Sequence, residues 1–187
     1  IRTLLEALAE MPDTTRLSLV DLDGDDNPAF TWARELGVAH RLTVLGRIST
    51  PALVQQYRRA ALVIVPSRYE GFGLPAVEAM ACGTPVIASN AGALTEVIHI
   101  TEGGILVPRD DATALAKATT TLLEQPELRA RLGSQGRRRV VSKLSWPRIA
   151  QATAQVYAEV LSERRGRPAK TITSAHEGTL PATQSRP

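Results

Sequence analysis

Two glutamates, Glu70 and Glu78, stand on either side of the turn Gly71-Phe72-Gly73-Leu74-Pro75. An ionised carboxylate is a pure acceptor, so each can take two hydrogens from a vicinal diol such as a sugar or a ribose offers. Gly71 and Gly73 have no Cβ, which lets backbone N–H groups come close to a ligand. Pro75 suits the first position of a helix, where its fixed φ is favourable and its missing N–H costs nothing. The N-terminus of such a helix has orphan donors and the positive end of a dipole, and it favours a phosphate. Two diol readers flanking an anion site describe a sugar joined through a diphosphate to a nucleoside.

The elements that must position these residues follow from apolar patterning. Ala61 to Val65 is a continuous apolar run of strand length, as expected for a strand covered on both faces, and Pro66 stops it. Further strands are expected near Leu17 to Asp21, Leu42 to Leu45, Pro85 to Ala88 and Ile105 to Val107. Helical periods occupy Thr3 to Glu10, Ala29 to Leu36, Pro51 to Arg59, Pro75 to Cys82, Leu94 to Ile98, Ala112 to Glu124, Pro126 to Val141 and Trp146 to Leu161, with Ser145 as N-cap of the last. Strands alternating with helices argue an α/β fold with a doubly wound parallel sheet, in which ligands collect at the carboxyl ends of the strands. The Glu70 to Pro75 turn lies at such an end. From Glu163 onward the sequence is polar without apolar period, so residues 163–187 read as a disordered basic tail behind one domain at 1–162.

The string Glu70-Gly71-Phe72-Gly73-Leu74-Pro75-Ala76-Val77-Glu78 resembles the signature of the family 4 retaining glycosyltransferases of the GT-B fold, two glutamates separated by seven residues around Gly-Phe-Gly-Leu-Pro. Ala79 to Ser89, Gly92 to Val97 and Gly104 to Pro108 are also similar, so the resemblance covers roughly residues 1 to 162. It implies a Rossmann-like, nucleotide-sugar-binding domain, the C-terminal half of a GT-B glycosyltransferase. Such an enzyme moves a hexosyl group from a nucleoside-diphosphate sugar to a hydroxyl acceptor with retention, without cofactor or metal. By the same resemblance Glu70 is the catalytic-site carboxylate and holds hydroxyls of the transferred sugar. The amides of Gly71, Phe72, Gly73 and Leu74 face sugar and diphosphate, and Glu78 binds the ribose. Gly46-Arg47, after the Leu42 to Leu45 strand, packs beside the base, with ordinary turn chemistry as the competing reading. Family members bind the acceptor, a glycan, lipid or small-molecule hydroxyl, on an N-terminal Rossmann-like domain. Their C-terminal domain opens on a strand and a basic Arg/Lys pair. Neither precedes Ile1, so the expectation is an N-terminally truncated domain that alone binds donor weakly and transfers little. Two alternatives stay open: a sugar-nucleotide epimerase of the same architecture, and a non-catalytic module that keeps the socket.

Composition bounds these readings. At 187 residues and 43% hydrophobic the chain can bury one sizeable core. Cys82 is the only cysteine, which excludes an internal disulfide and favours a reducing compartment, hence the cytoplasm. No apolar run reaches the length of a membrane span. The net charge of +3 is uneven: residues 111–187 carry 13 Lys/Arg against 6 Asp/Glu, and residues 1–110 are net acidic. Arg137-Arg138-Arg139 and Arg164-Arg165 suit peripheral contact with the inner membrane face, but short basic runs are more often a solvated helix face. Few aromatics (4%) and no nucleic-acid module argue against nucleic acid.

Other acidic and histidine residues carry less. Asp21-Leu22-Asp23, with Asp25 and Asp26, suggests a metal-diphosphate or calcium motif. Calcium fails on spacing, because Asp26 and Trp32 fall where glycine and glutamate are required, and an Asp-rich turn is usually a solvated loop. It departs from the Gly-rich turn common at this place in the resembling family. Glu96 reads as a surface or capping residue, and His40, His99 and His176 lack metal or triad spacing. A hydrolytic acid–base couple is the rival role for Glu70 and Glu78, but carboxylates beside a helix N-terminus are better suited to reading hydroxyls.

Overall fold

The computed structural model describes residues 1–22 and 27–166. Helix α1 (Arg2–Glu10) leads to β1 (Leu17–Leu19), and α2 (Pro28–Glu35) and a 3-10 turn lead to β2 (Leu42–Val44). Then α3 (Thr50–Arg59), β3 (Val63–Val65), α4 (Leu74–Ala81), β4 (Val86–Ser89), α5 (Ala93–Thr101) and β5 (Gly104–Val107) alternate, and α6 (Ala112–Glu124), α7 (Pro126–Lys143) and α8 (Trp146–Gly166) close the described chain. Every strand pairing among the described residues is parallel: β1 with β2, β3 with β4, and β4 with β5. The expected single sheet therefore comes in two parts, β1-β2 and β3-β4-β5, with no ladder between β1 and β3.

Alternating side chains separate two cores. Ile64 and Ile87 of the larger sheet, with Val107, join Leu4, Leu5 and Leu8 of α1 and Leu115 and Leu122 of α6 on one face. Val65, Val86 and Ala88 join Ala76, Val77 and Met80 of α4 and Leu94 and Val97 of α5 on the other. Burial on both faces explains why β4 is buried along its whole length and reads as a continuous apolar run. Local chemistry starts the helices: Asn27 caps α2 through Ala29 N at 3.0 Å, and Asp111 caps α6 through Ala114 N at 2.8 Å.

Arg41 was not singled out in the sequence, yet it is only 2% exposed. Its guanidinium donates to Thr15 O at 3.1 Å, Met11 O at 3.3 Å and Pro12 O at 2.8 Å, with Asp13 Oδ1 at 3.7 Å. The buried charge is thus satisfied by the loop that feeds β1, which it holds against the second strand.

Helix α8 runs to Gly166, past its expected end at Leu161, and Ser145 directly precedes it as expected. Its segment from Ala150 forms a separate unit whose described side chains, Val156, Tyr157, Val160 and Leu161 among them, are exposed. The rest of the tail, His176 included, lies outside the described residues. No helix among the described residues is long and apolar enough to cross a membrane.

Candidate functional site

The turn after β3 is built from short-range constraints. Gly73 takes φ 85°, a left-handed value that an L-residue avoids, and serves as N-cap of α4 without a side-chain cap. Pro75 is the second residue of α4, one position beyond the first helical position expected for it, while Ala76 N and Val77 N return to Gly73 O at 3.0 and 3.1 Å. Gly71 is exposed, as are the large apolar side chains of Phe72 (46%) and Leu74 (50%). Gly73 itself is buried against Leu94, so the exposed residues at the head of α4 are those on either side of it, with the helix dipole behind them.

A second helix anchors the turn. Glu70 O accepts from Ala93 N, the first residue of α5, at 3.0 Å. Gly92 makes this approach possible: a Cβ at that position would lie 2.3 Å from Glu70 O. The N-termini of α4 and α5 thus converge on one loop, and half-buried Glu70 sits between them with Ser67 Oγ donating to its Oε2 at 3.3 Å.

Glu78 lies one turn into α4 and is exposed. Tyr57 of α3 donates its hydroxyl to Glu78 Oε2 at 3.2 Å. Burial first, and then the Glu78 charge, push the Tyr57 phenol well above its ordinary range, so it remains a donor. A cavity of about 1560 Å³ is lined by Tyr57, Arg68, Pro75 and Glu78 but not by Glu70, so the two glutamates flank the turn without sharing this cavity.

The remaining candidates sit at other strand ends. Arg47, 85% exposed, follows β2 and reaches Asp21 beyond β1, 3.7 Å away; it touches neither glutamate. Arg68 Nε donates to Asp110 Oδ1 at 2.8 Å, joining the ends of β3 and β5, and Arg109 Nη1 donates to Arg68 O at 3.3 Å. The Arg68 hydrogen bond holds the Asp110 carboxyl below its usual range. Asp23, Asp25 and Asp26 lie outside the described residues, and no group of three His, Cys, Asp or Glu among the described residues is placed to hold a metal. Glu96 is exposed in the first turn of α5, and His99 in its last. In the basic run of α7, Arg137 donates to Ala81 O and Arg139 pairs with Glu102 at 2.7 Å, so two of its three arginines tie α7 to neighbouring helix ends.

Sequence reasoning missed Tyr57, Arg68 and Asp110. Their contacts span 21 and 42 residues and leave no local pattern. Ser67, three residues from Glu70, was within reach of a local reading.

The profile of the family Glycosyl transferases group 1 matches residues 1–139. The MMP alpha-(1->4)-mannosyltransferase of Mycolicibacterium hassiacum is 38% identical over 162 residues, covering 85% of this chain and 39% of that protein. The solved sucrose-phosphate synthase of Thermosynechococcus elongatus superposes with a TM-score of 0.79 at 37% identity, over 87% of this chain and 42% of that one. Anabaena HepE, solved with UDP and also with UDP-glucose, gives a TM-score of 0.76 at 27% identity, over 84% of this chain and 44% of its own. The chain thus spans about two fifths of the length of these relatives, and its α/β architecture is that of the GT-B glycosyltransferases. It belongs to the family of glycosyl transferases group 1.

Proposed function

We propose that this chain is the donor-binding half of a retaining glycosyltransferase that moves a sugar from a nucleoside diphosphate to a hydroxyl acceptor. The observation that carries the reading is the head of α4, capped by Gly73 with no side-chain hydrogen bond to its free N–H groups and flanked in sequence by Glu70 and Glu78. Negative charge develops on the departing diphosphate. Oriented N–H groups at Gly71, Phe72, Gly73 and Leu74, backed by the α4 dipole, stabilise it without reorganising. Glu70, held by Ser67, accepts hydroxyls of the sugar and fixes the anomeric carbon relative to the acceptor. Glu78, held by Tyr57, accepts the ribose diol, and Arg47 lies beside the base. No step asks for a metal. The acceptor, a glycan, lipid or small hydroxyl compound, belongs to a half of the protein beyond this sequence. The UDP bound by Anabaena HepE supports a nucleotide donor of this kind.

Calorimetric titration of the natural full-length protein with UDP, GDP and ADP, and with their glucose and mannose conjugates, tests the reading. One nucleotide series should bind, unaffected by EDTA, and Glu78→Gln should weaken it on the order of tenfold. Wild-type affinity in Glu78→Gln, or binding that disappears with EDTA, would overturn the assignment.

A further inference from the structure

The loop between β3 and α4, residues 66–73, carries Glu70, and its two halves are held in different ways. The second half is pinned by backbone and packing: Glu70 O accepts from Ala93 N at 3.0 Å, and Gly73 is buried against Leu94. The first half, residues 66–69, makes no backbone–backbone hydrogen bond among the described residues. Its hydrogen bonds to other elements all fall on Arg68. Arg68 Nε donates to Asp110 Oδ1 at 2.8 Å, and Arg109 Nη1 donates to Arg68 O at 3.3 Å.

Both partners come from the end of β5, although β4 lies between β3 and β5 in the sheet. Neighbouring strands are about 4.8 Å apart, so the strap spans about 10 Å, a distance that an arginine opposite an aspartate bridges. Its far end is fixed in turn. Thr3 Oγ1 of α1 lies 3.5 Å from Asp110 Oδ1, and the next residue, Asp111, caps α6. The Arg68 hydrogen bond foremost, and the Arg109 charge to a lesser degree, hold the Asp110 carboxyl below its usual range, so two guanidinium groups gather at one carboxylate.

What the strap fixes is Ser67, the neighbour of Arg68 in the chain. The Ser67 hydroxyl, donating to Glu70 Oε2 at 3.3 Å, makes the one hydrogen bond that the Glu70 carboxylate receives among the described residues. With side-chain exposures of 81% and 48%, the Arg68–Asp110 pair adds little to stability. Rate is more sensitive, since displacing a group at a reacting centre by about 1 Å can cost on the order of a hundredfold. Resting on the donor-site reading above, we infer that Arg68, Arg109 and Asp110 are positioning residues that act through Ser67 on Glu70 and set the turnover of bound donor more than its affinity.

Two measurements on the natural full-length protein test this: backbone order parameters from NMR, and release of nucleoside diphosphate from whichever glucose or mannose conjugate of UDP, GDP or ADP it binds. In Asp110→Asn, kcat should fall about fivefold with KM within about twofold, and order parameters from Ser67 to Glu70 should drop from about 0.85 toward 0.6 while those of α4 hold. Arg68→Ala should match it, and the double variant should be no worse than either. Arg68→Lys, which keeps a cation on a stem of similar length, should recover most of the rate. Because the pair is exposed, the gap between wild type and Asp110→Asn should close in molar salt. Unchanged order from Ser67 to Glu70 in Asp110→Asn overturns the strap, whatever the turnover, and loosened order with wild-type kcat overturns its part in the reaction. Glu70→Ala separates this inference from the reading beneath it. Normal turnover in Glu70→Ala sinks the donor-site reading and the inference together, whereas impaired Glu70→Ala beside unimpaired Asp110→Asn sinks the inference alone.

Discussion

The two edges of the parallel sheet use the same unusual backbone for different ends. Along the carboxyl edge, each strand is followed before its helix by a residue of positive φ: Asp21 (60°), Gly46 (57°), Gly73 (85°), Gly92 (52°) and Asp110 (56°). The other described residues of this kind, Gly37, Gly83 and Glu102, follow the last turns of α2, α4 and α5. These three have a local reason, since a left-handed residue closes the orphan carbonyls of a helix, as in Gly83 N to Met80 O at 2.9 Å and Glu102 N to Ile98 O at 2.8 Å. At the carboxyl edge no helix is ending. There the conformation turns the chain from strand to helix, and where it falls on an aspartate an arginine partners the side chain: Arg47 at Asp21, Arg68 at Asp110. One edge stops helices; the other is the edge where we propose that the donor binds.

Matched glycine substitutions break or sharpen that contrast. Gly92→Ala places a Cβ against Glu70 O and strains a backbone near the glycine-only region, so we expect a loss of about 3–4 kcal/mol in denaturant unfolding, with nucleotide affinity falling too. Gly83→Ala meets only Arg137 Cδ, at 3.9 Å, and should cost about 1 kcal/mol from its dihedral alone, with nucleotide affinity unchanged. Equal effects at the two sites would erase the distinction between the edges. Between them in size stands Glu70→Ala, expected to lower the kcat of the full-length enzyme on the order of a hundredfold while leaving stability within about 0.5 kcal/mol. Normal turnover in that variant would remove Glu70 from the chemistry.

The parts of this architecture that were legible in the sequence are those decided within a few neighbours. All five strands and their following helices were read, because burial on both faces writes unbroken apolar runs such as Val86 to Ala88. The glutamate–glycine string located the turn and the helix head. Helix ends were less accurate: α5 continues three residues past Ile98, stopping where Glu102, just before Gly103 and Gly104, turns left-handed. Long-range partners were invisible. Arg41 resembles any surface arginine until three carbonyls 26 to 30 residues away close around it. The break in the sheet was equally hidden, since strand order is a property of pairing and not of any one segment's pattern.

Tyr57 is the long-range partner whose removal should be felt mildly at the site. Tyr57→Phe deletes the donor to Glu78, and we expect nucleotide affinity to drop about fivefold, near 1 kcal/mol, with a stability loss of similar size. The sign of the pH effect follows from the raised folded value. The neutral phenol is favoured in the native state, so its contribution is complete below the ordinary value of 10.0 and is lost as pH rises above it. Alkaline titration of the unfolding midpoint should be steeper in the wild type than in Tyr57→Phe.

The smallest effect belongs to the exposed pair of Arg68 and Asp110, and it asks what holds a non-glycine residue in a left-handed turn. The carboxyl of Asp110 is depressed by the Arg68 hydrogen bond, so its contribution is full above the ordinary value of 3.8 and disappears as pH falls through the lower folded value. Asp110→Asn keeps a side chain that tolerates the left-handed region and removes only the charge. Its stability should therefore fall slightly below that of the wild type at neutral pH and low salt, converge with it in strong acid, and converge also in high salt because the pair is solvent-exposed. A deficit that persists in acid would mean that the ion pair is not what secures this turn. The remaining support would then be the backbone bonds of the β5 end and the α6 cap at Asp111, and Asp110→Gly, which relieves the dihedral, should stabilise the protein where Asp110→Asn does not.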